Sequence, residues 1–103
     1  MENIQHVSKE NFDSLMKSGK DLILFFYKKN DPASILGLGT MNEVNALIGK
    51  NFDLYLIDAE SEPEIAEAFS IKIIPEYISM KENKIFKRST ELLEVSHVLN
   101  LLK

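Results

Sequence analysis

Six consecutive apolar residues, Leu22-Ile23-Leu24-Phe25-Phe26-Tyr27, interrupt an otherwise mixed sequence with no polar residue among them. A half-exposed strand alternates apolar with polar side chains, and a surface helix repeats its apolar residues every three or four positions. A short run that does neither is a strand covered on both faces. Both faces are covered when helices lie on either side of a sheet, so the run predicts a central parallel strand in a layered α/β domain.

The rest of the chain supplies those layers. Ile4 to Val7 is a short strand candidate, and Ser8 follows as a helix N-cap. Val7 and Phe12 occupy the two positions of a hydrophobic staple around it, and Phe12, Leu15 and Met16 keep helical spacing until Gly19 ends the segment. After the central run, Asp31-Pro32 is a helix start, because Asp accepts orphan N–H groups and Pro is tolerated at the first helical position. Met41, Val44, Leu47 and Ile48 give that helix an apolar stripe. Gly37 and Gly39 each cost about 1 kcal/mol relative to Ala, and a bend is expected near Gly39.

Phe52 to Ile57 is the next strand. Ser61-Glu62-Pro63-Glu64 fits a capping box, with Ile65, Ala68 and Phe69 on the buried side. Pro75 to Met80, a polar turn at Lys81-Glu82-Asn83, and Lys84 to Arg88 form a hairpin whose turn lacks Gly. Thr90 is expected to cap a last helix carrying Leu92, Val95, Leu99 and Leu102, with Glu91 and Glu94 near its positive end. The order is βαβαβαββα in a single domain over residues 1–103, a length that buries roughly 65% of the unfolded surface.

Composition removes several function classes. Net charge is −4, and the 12 basic residues form no stripe with interleaved aromatics, so no nucleic-acid partner is expected. Met1-Glu2-Asn3-Ile4-Gln5 has no basic n-region before an apolar stretch, and no apolar run approaches the roughly 18 residues that span a bilayer. The expectation is a cytoplasmic protein with no membrane partner. With zero cysteines, disulfides, thiolate zinc sites and thiol catalysis are excluded.

Order, spacing and local motifs together resemble the thioredoxin family over Ile4 to Lys103. The run Ile65-Ala66-Glu67-Ala68-Phe69-Ser70-Ile71-Lys72-Ile73-Ile74-Pro75 follows that family's acidic, Pro-containing helix start leading to an Ile-Pro motif. The resemblance implies a thioredoxin-like three-layer sandwich with a mixed sheet and a cis proline at Pro75. It also implies a dithiol active site, and here this sequence departs from the family. Asp31-Pro32-Ala33-Ser34 stand where the family has Cys-Gly-Pro-Cys, and Asn30 replaces the tryptophan before it. Disulfide exchange needs a thiolate and a resolving thiol. A carboxylate and a hydroxyl supply neither. By the same resemblance the family's buried acid aligns with Phe25 and its associated lysine with Leu56, so the proton relay is apolar here as well.

Each remaining polar group has a structural and a functional reading. Asp31 is a helix cap or a ligand contact. Ser34 is a helix-end residue rather than a nucleophile, since His6 and His97 fall on the first strand and last helix and leave it without a base. Glu76 either adds acid beside Asp31 or faces solvent. Glu60, Glu62, Glu64 and Glu67 form a solvated helix face with no metal-ligand pattern. No cofactor, metal or catalytic residue is assigned, and enzymatic activity is not expected.

What remains is a binding module for protein or extended peptide that uses the former active-site groove. Its candidate residues are Asn30, Asp31, Pro32, Ser34, Ile74, Pro75 and Glu76. The resemblance singles out Ile74, because in the family the residue before the cis proline pairs its backbone with substrate main chain. The alternatives are a glutathione-binding or transferase-like activity, and a homo-oligomer or assembly subunit built on a helix face or the Ile4–Val7 edge.

Overall fold

A computed structural model describes residues 4–47 and 49–103. Met1, Glu2 and Asn3 at the N-terminus, and Ile48 of the expected apolar stripe, lie outside the described residues. The elements are β1 (Gln5–His6), α1 (Lys9–Met16), β2 (Leu22–Tyr27), α2 (Pro32–Asn45), β3 (Asp53–Asp58), α3 (Pro63–Ala68), β4 (Glu76–Lys81), β5 (Lys84–Ser89) and α4 (Val95–Asn100). They form one mixed five-stranded sheet in the order β1-β3-β2-β4-β5. Strand β2 lies in the middle, parallel to β3 and antiparallel to β4, and all six of its residues are buried.

The pleat sends the apolar run to both sides. Ile23, Phe25 and Tyr27 join Leu54, Leu56 and Tyr77 against Met41 and Val44 of α2 and Val98 of α4. Leu22, Leu24 and Phe26 join Ile57, Ile78 and Met80 against Leu15 of α1 and Ile65 of α3. Each such side chain contributes about 2 kcal/mol of burial free energy, so β2 is the largest apolar contributor among the strands. Phe25 and Leu56 are direct register partners, buried side by side.

Local signals explain most of the boundaries. Ser8 precedes α1, and its N–H donates to Asn11 Oδ1 at 2.8 Å, the returning arm of a capping box. Gly19 takes the left-handed conformation, φ +73°, that ends this unit. Helix α2 runs unbroken through both glycines to Asn45. A Cβ on Gly37 would stand 2.4 Å from Phe25 Cζ and 3.2 Å from the Tyr77 hydroxyl, whereas one on Gly39 would meet nothing within 4 Å. Gly37 is therefore required by helix–sheet contact, beyond its cost in propensity. Among the described residues the stripe reaches to Val44; Leu47 lies past the helix and is 39% exposed.

Two helix starts and one turn differ from the sequence expectation. Ser61 does not cap α3. Glu62 occupies the cap position without a side-chain bond, while Asp58 Oδ1 accepts the N–H groups of Glu60 and Ser61 at 3.0 and 3.3 Å. Only Ile65 and Phe69 are buried there, and Ala68 is exposed. Thr90 does not cap α4, which begins five residues later at Val95 with Glu94 at the cap position. Leu92 is consequently 49% exposed, and Val98 and Leu101 carry the burial. The hairpin turn is tighter than expected, with Lys81 paired to Lys84 and Glu82 and Asn83 both left-handed, φ 51° and 65°. That is the mirror-image turn favoured by strand twist, and Asn adopts it more readily than most residues. Asn83 Oδ1 also accepts the Gly19 N–H at 2.8 Å. Farther along the hairpin, Ser79 pairs with Lys87 and Met80 with Ile85, which leaves Phe86 as the extra residue of a bulge.

Candidate functional site

Three chain segments meet at the C-terminal end of β2. The register pairs Tyr27 with Asp58 of β3 and Phe26 with Glu76 of β4. The loop after Tyr27, the turn after Asp58 and the segment before Glu76 therefore emerge at one end of the sheet. Ala59 N–H donates to the Tyr27 carbonyl at 2.9 Å, and Lys29 Nζ lies 3.8 Å from Asp58 Oδ2. The Ile74–Pro75 peptide in the third segment is cis.

On the α2 side, polar atoms are turned inward. Asp31 Oδ2 accepts the Ser34 N–H at 2.8 Å, so the carboxylate caps the helix. Ser34 is fully buried, and its Oγ accepts the Lys28 N–H at 3.1 Å. The hydroxyl clips the loop to the first turn. Asn30 is exposed with φ 62°, a conformation that Asn tolerates better than most residues, and exposed Pro32 sits at the first helical position. The His6 ring has another partner: its Nε2 is 3.1 Å from the Tyr27 hydroxyl. Burial, and then the Asp58 charge, push that hydroxyl above its ordinary pKa. His97 lies on α4.

Glu76 departs from both expectations for it. It is buried and bonded to Arg88 Nε, while Arg88 Nη2 donates to the Phe69 carbonyl at 2.8 Å. The hydrogen bond to Glu76 holds the guanidinium above its usual pKa, against the opposing effect of burial. Its neighbour Tyr77 belongs to the α2 face, so the pleat directs Glu76 to the face packed by α1 and α3. The carboxylate ties β4, β5 and the end of α3 together and adds no acid beside Asp31.

The other flank of this sheet end is open. Ile73 is 62% exposed there, and on the α2 side Ile35 and Leu36, just after Ser34, are 59% and 65% exposed as well. Half-buried Ile74 lines a depression of about 500 Å³ with Ala59, Pro63, Ala66, Glu67, Ser70, Ile71 and Lys72. Its back wall depends on how α3 stops. Ser70 takes a left-handed φ of 56°, Ser70 N–H bonds the Glu67 carbonyl at 2.9 Å, and Ile71 N–H bonds the Ala66 carbonyl at 3.0 Å. This pair of bonds is a Schellman closure with Ser where Gly is usual.

Of the seven residues expected in one groove, Asn30, Asp31, Pro32 and Ser34 form the α2 corner, and Ile74 and Pro75 share its sheet end. Glu76 is diverted into the interior. Sequence reasoning missed Ile35, Leu36 and Ile73, because exposure of an apolar residue is a tertiary property with no local signature. It also missed Asp58, for which an Asp ahead of a polar turn was a usable signal. Among the described residues no cluster of three or more His, Asp or Glu could hold a metal ion, and no helix is long and apolar enough to cross a membrane.

No protein-family profile matches the chain. A thioredoxin of Chlamydia trachomatis is 31% identical over 99 residues, spanning 96% of this chain and 95% of that protein. A monothiol glutaredoxin of Arabidopsis thaliana is 31% identical over 81 residues, covering 76% of this chain but 16% of its own length. Among solved structures, the Malassezia sympodialis thioredoxin superposes with a TM-score of 0.86 at 13% identity, covering 98% of this chain and 90% of that one. Chloroplastic thioredoxin z gives 0.83 at 13% identity, covering 99% and 93%. These two likenesses concern the fold.

Proposed function

The chain belongs to the thioredoxin-like family, and from that premise we propose that it is a redox-inactive cytoplasmic binding module. In this reading the Ile74 side of the former active site grips an extended segment of another protein, with no nucleic-acid or membrane partner. The observation that carries it is the pairing of an absent chemistry with a persistent surface. The sequence has no cysteine, and Asp31 and Ser34 are engaged in holding their own helix start. Beside them Ile73 stays 62% exposed next to half-buried Ile74. An exposed aliphatic residue favours removal from water by about 25 cal/mol per Å² covered, which makes the flank a docking surface without any reaction.

Affinity capture from native lysate with wild-type protein beside Ile74→Asp tests the reading. A partner held by wild type and lost by a folded Ile74→Asp variant is the expected result. Equal capture by both moves the function to another surface. Insulin reduction by a clean preparation is expected to be absent, and measurable turnover overturns the redox-inactive assignment.

A further inference from the structure

The outer face of α2 lacks what a solvated helix face normally carries. Pro32, Ile35, Leu36, Gly39 and Asn42 are exposed along it, and none of residues 32–42 is charged. Helix α1, by contrast, presents Lys9, Glu10 and Asp13 to water. Leu36, at 65%, is the most exposed large apolar side chain among the described residues. Gly39 is a second departure. A Cβ there would meet nothing within 4 Å, so its cost in helix propensity has no return inside the chain, unlike that of Gly37. A bare glycine on such a face permits close approach by the surface of another molecule.

We propose that this face is a self-association surface on which two copies of the chain pair their α2 helices antiparallel about a two-fold axis, Ile35 and Leu36 of each lying over Gly39 of the other. The inference stands apart from the binding-module reading. The pattern is self-complementary: the bulky pair sits one helical turn before the bare position, so a single axis between them satisfies both contacts at once. An uncharged face also lets identical copies meet without the repulsion that a net charge of −4 imposes elsewhere. The same axis sets Glu43, the first charge on the stripe, level with the start of the other copy's α2. Glu43 shares a depression with Glu94, and neither has an ion pair among the described residues. The start of α2 offers them its positive end and Lys28, likewise without an ion pair among the described residues, while Asp31 there is already bonded to the Ser34 N–H. A foreign helix would have to reproduce this arrangement; a second copy brings it.

Sedimentation of the intact protein from about 1 μM to about 1 mM tests this. A helix pair buries less than the roughly 800 Å² per partner of a standard interface, so the expected result is a reversible monomer–dimer equilibrium with a midpoint on the order of 100 μM. Leu36→Lys is expected to weaken it about thirtyfold, which abolishes the dimer over this range. Gly39→Ala separates pairing from folding. It is expected to raise the urea midpoint of the monomer, because Ala favours helix and has room, while weakening the dimer about fivefold. A protein that is monomeric throughout overturns the proposal. So does a dimer that both variants leave unchanged, which places the contact elsewhere, and so does one that Gly39→Ala strengthens, which removes the close approach of the helices. If wild type forms no dimer but captures a lysate protein that Leu36→Lys loses, the face belongs to a different partner and the proposal likewise falls.

Discussion

The two flanks of the sheet end, the Lys28–Ser34 corner and the Ser70–Ile74 segment, sit at one place in the fold and have opposite economies of contact. The corner is closed upon itself: Asp31 and Ser34 satisfy N–H groups of their own helix start and loop. Behind them Gly37 lets α2 press against Phe25. The segment is open: Ile73 faces water and Ile74 borders a depression. Removing the thiols from a family scaffold thus leaves a corner whose polar atoms serve stability. Exposed aliphatic surface remains on the neighbouring flank.

Substitutions can break that contrast at graded strength. Gly37→Ala is expected to cost most, about 2–3 kcal/mol in urea unfolding, because the added Cβ overlaps a fully buried ring that cannot swing aside. Combining it with Phe25→Leu should recover part of the loss through non-additivity, and a cost below about 0.5 kcal/mol would show the corner to be loosely packed. Ser34→Ala comes next, at about 1–2 kcal/mol, since the Lys28 N–H loses its acceptor at a part-buried site. A neutral result there would mean that water replaces the hydroxyl and that the corner is as open as its neighbour.

On the open flank the smallest effect has the other sign. Ser70→Gly is expected to stabilise by about 0.5–1 kcal/mol by relieving a side chain held at positive φ. Destabilisation would show that the Ser70 side chain is needed where α3 closes, making that flank as self-bonded as the corner.

The sequence made the scaffold legible where physics is local. An unbroken apolar run can only be covered twice, Asp-Pro can start a helix with nothing else present, and the Ile74-Pro75 context carried the family resemblance. Legibility failed where the deciding contact comes from elsewhere in the chain. Gly37 reads locally as a cost, because Phe25 is twelve positions away in sequence. Ser61 and Thr90 have the side chains of good caps, yet Asp58 organises the first turn and the burial of Val98 and Leu101 fixes the second helix farther on. Glu76 offered no local hint of its partner, since Arg88 reaches it only after the hairpin has paired. The site was therefore half legible: its helix cap was visible in advance, and its exposed aliphatic flank was not.

The hairpin bulge bears on how copies of this protein treat one another. Strand β5 ends the sheet, with Ile85 and Phe86 each 45% exposed. A free edge with such residues is the template from which fibrils grow. Here Phe86 interrupts the two-residue repeat, and Lys81 and Lys87 place their ammonium groups 5.1 and 5.4 Å from its ring centre. An incoming identical edge finds a broken ladder and a fringe of like charge, so the most apolar border of the sheet is also the one that discourages self-assembly.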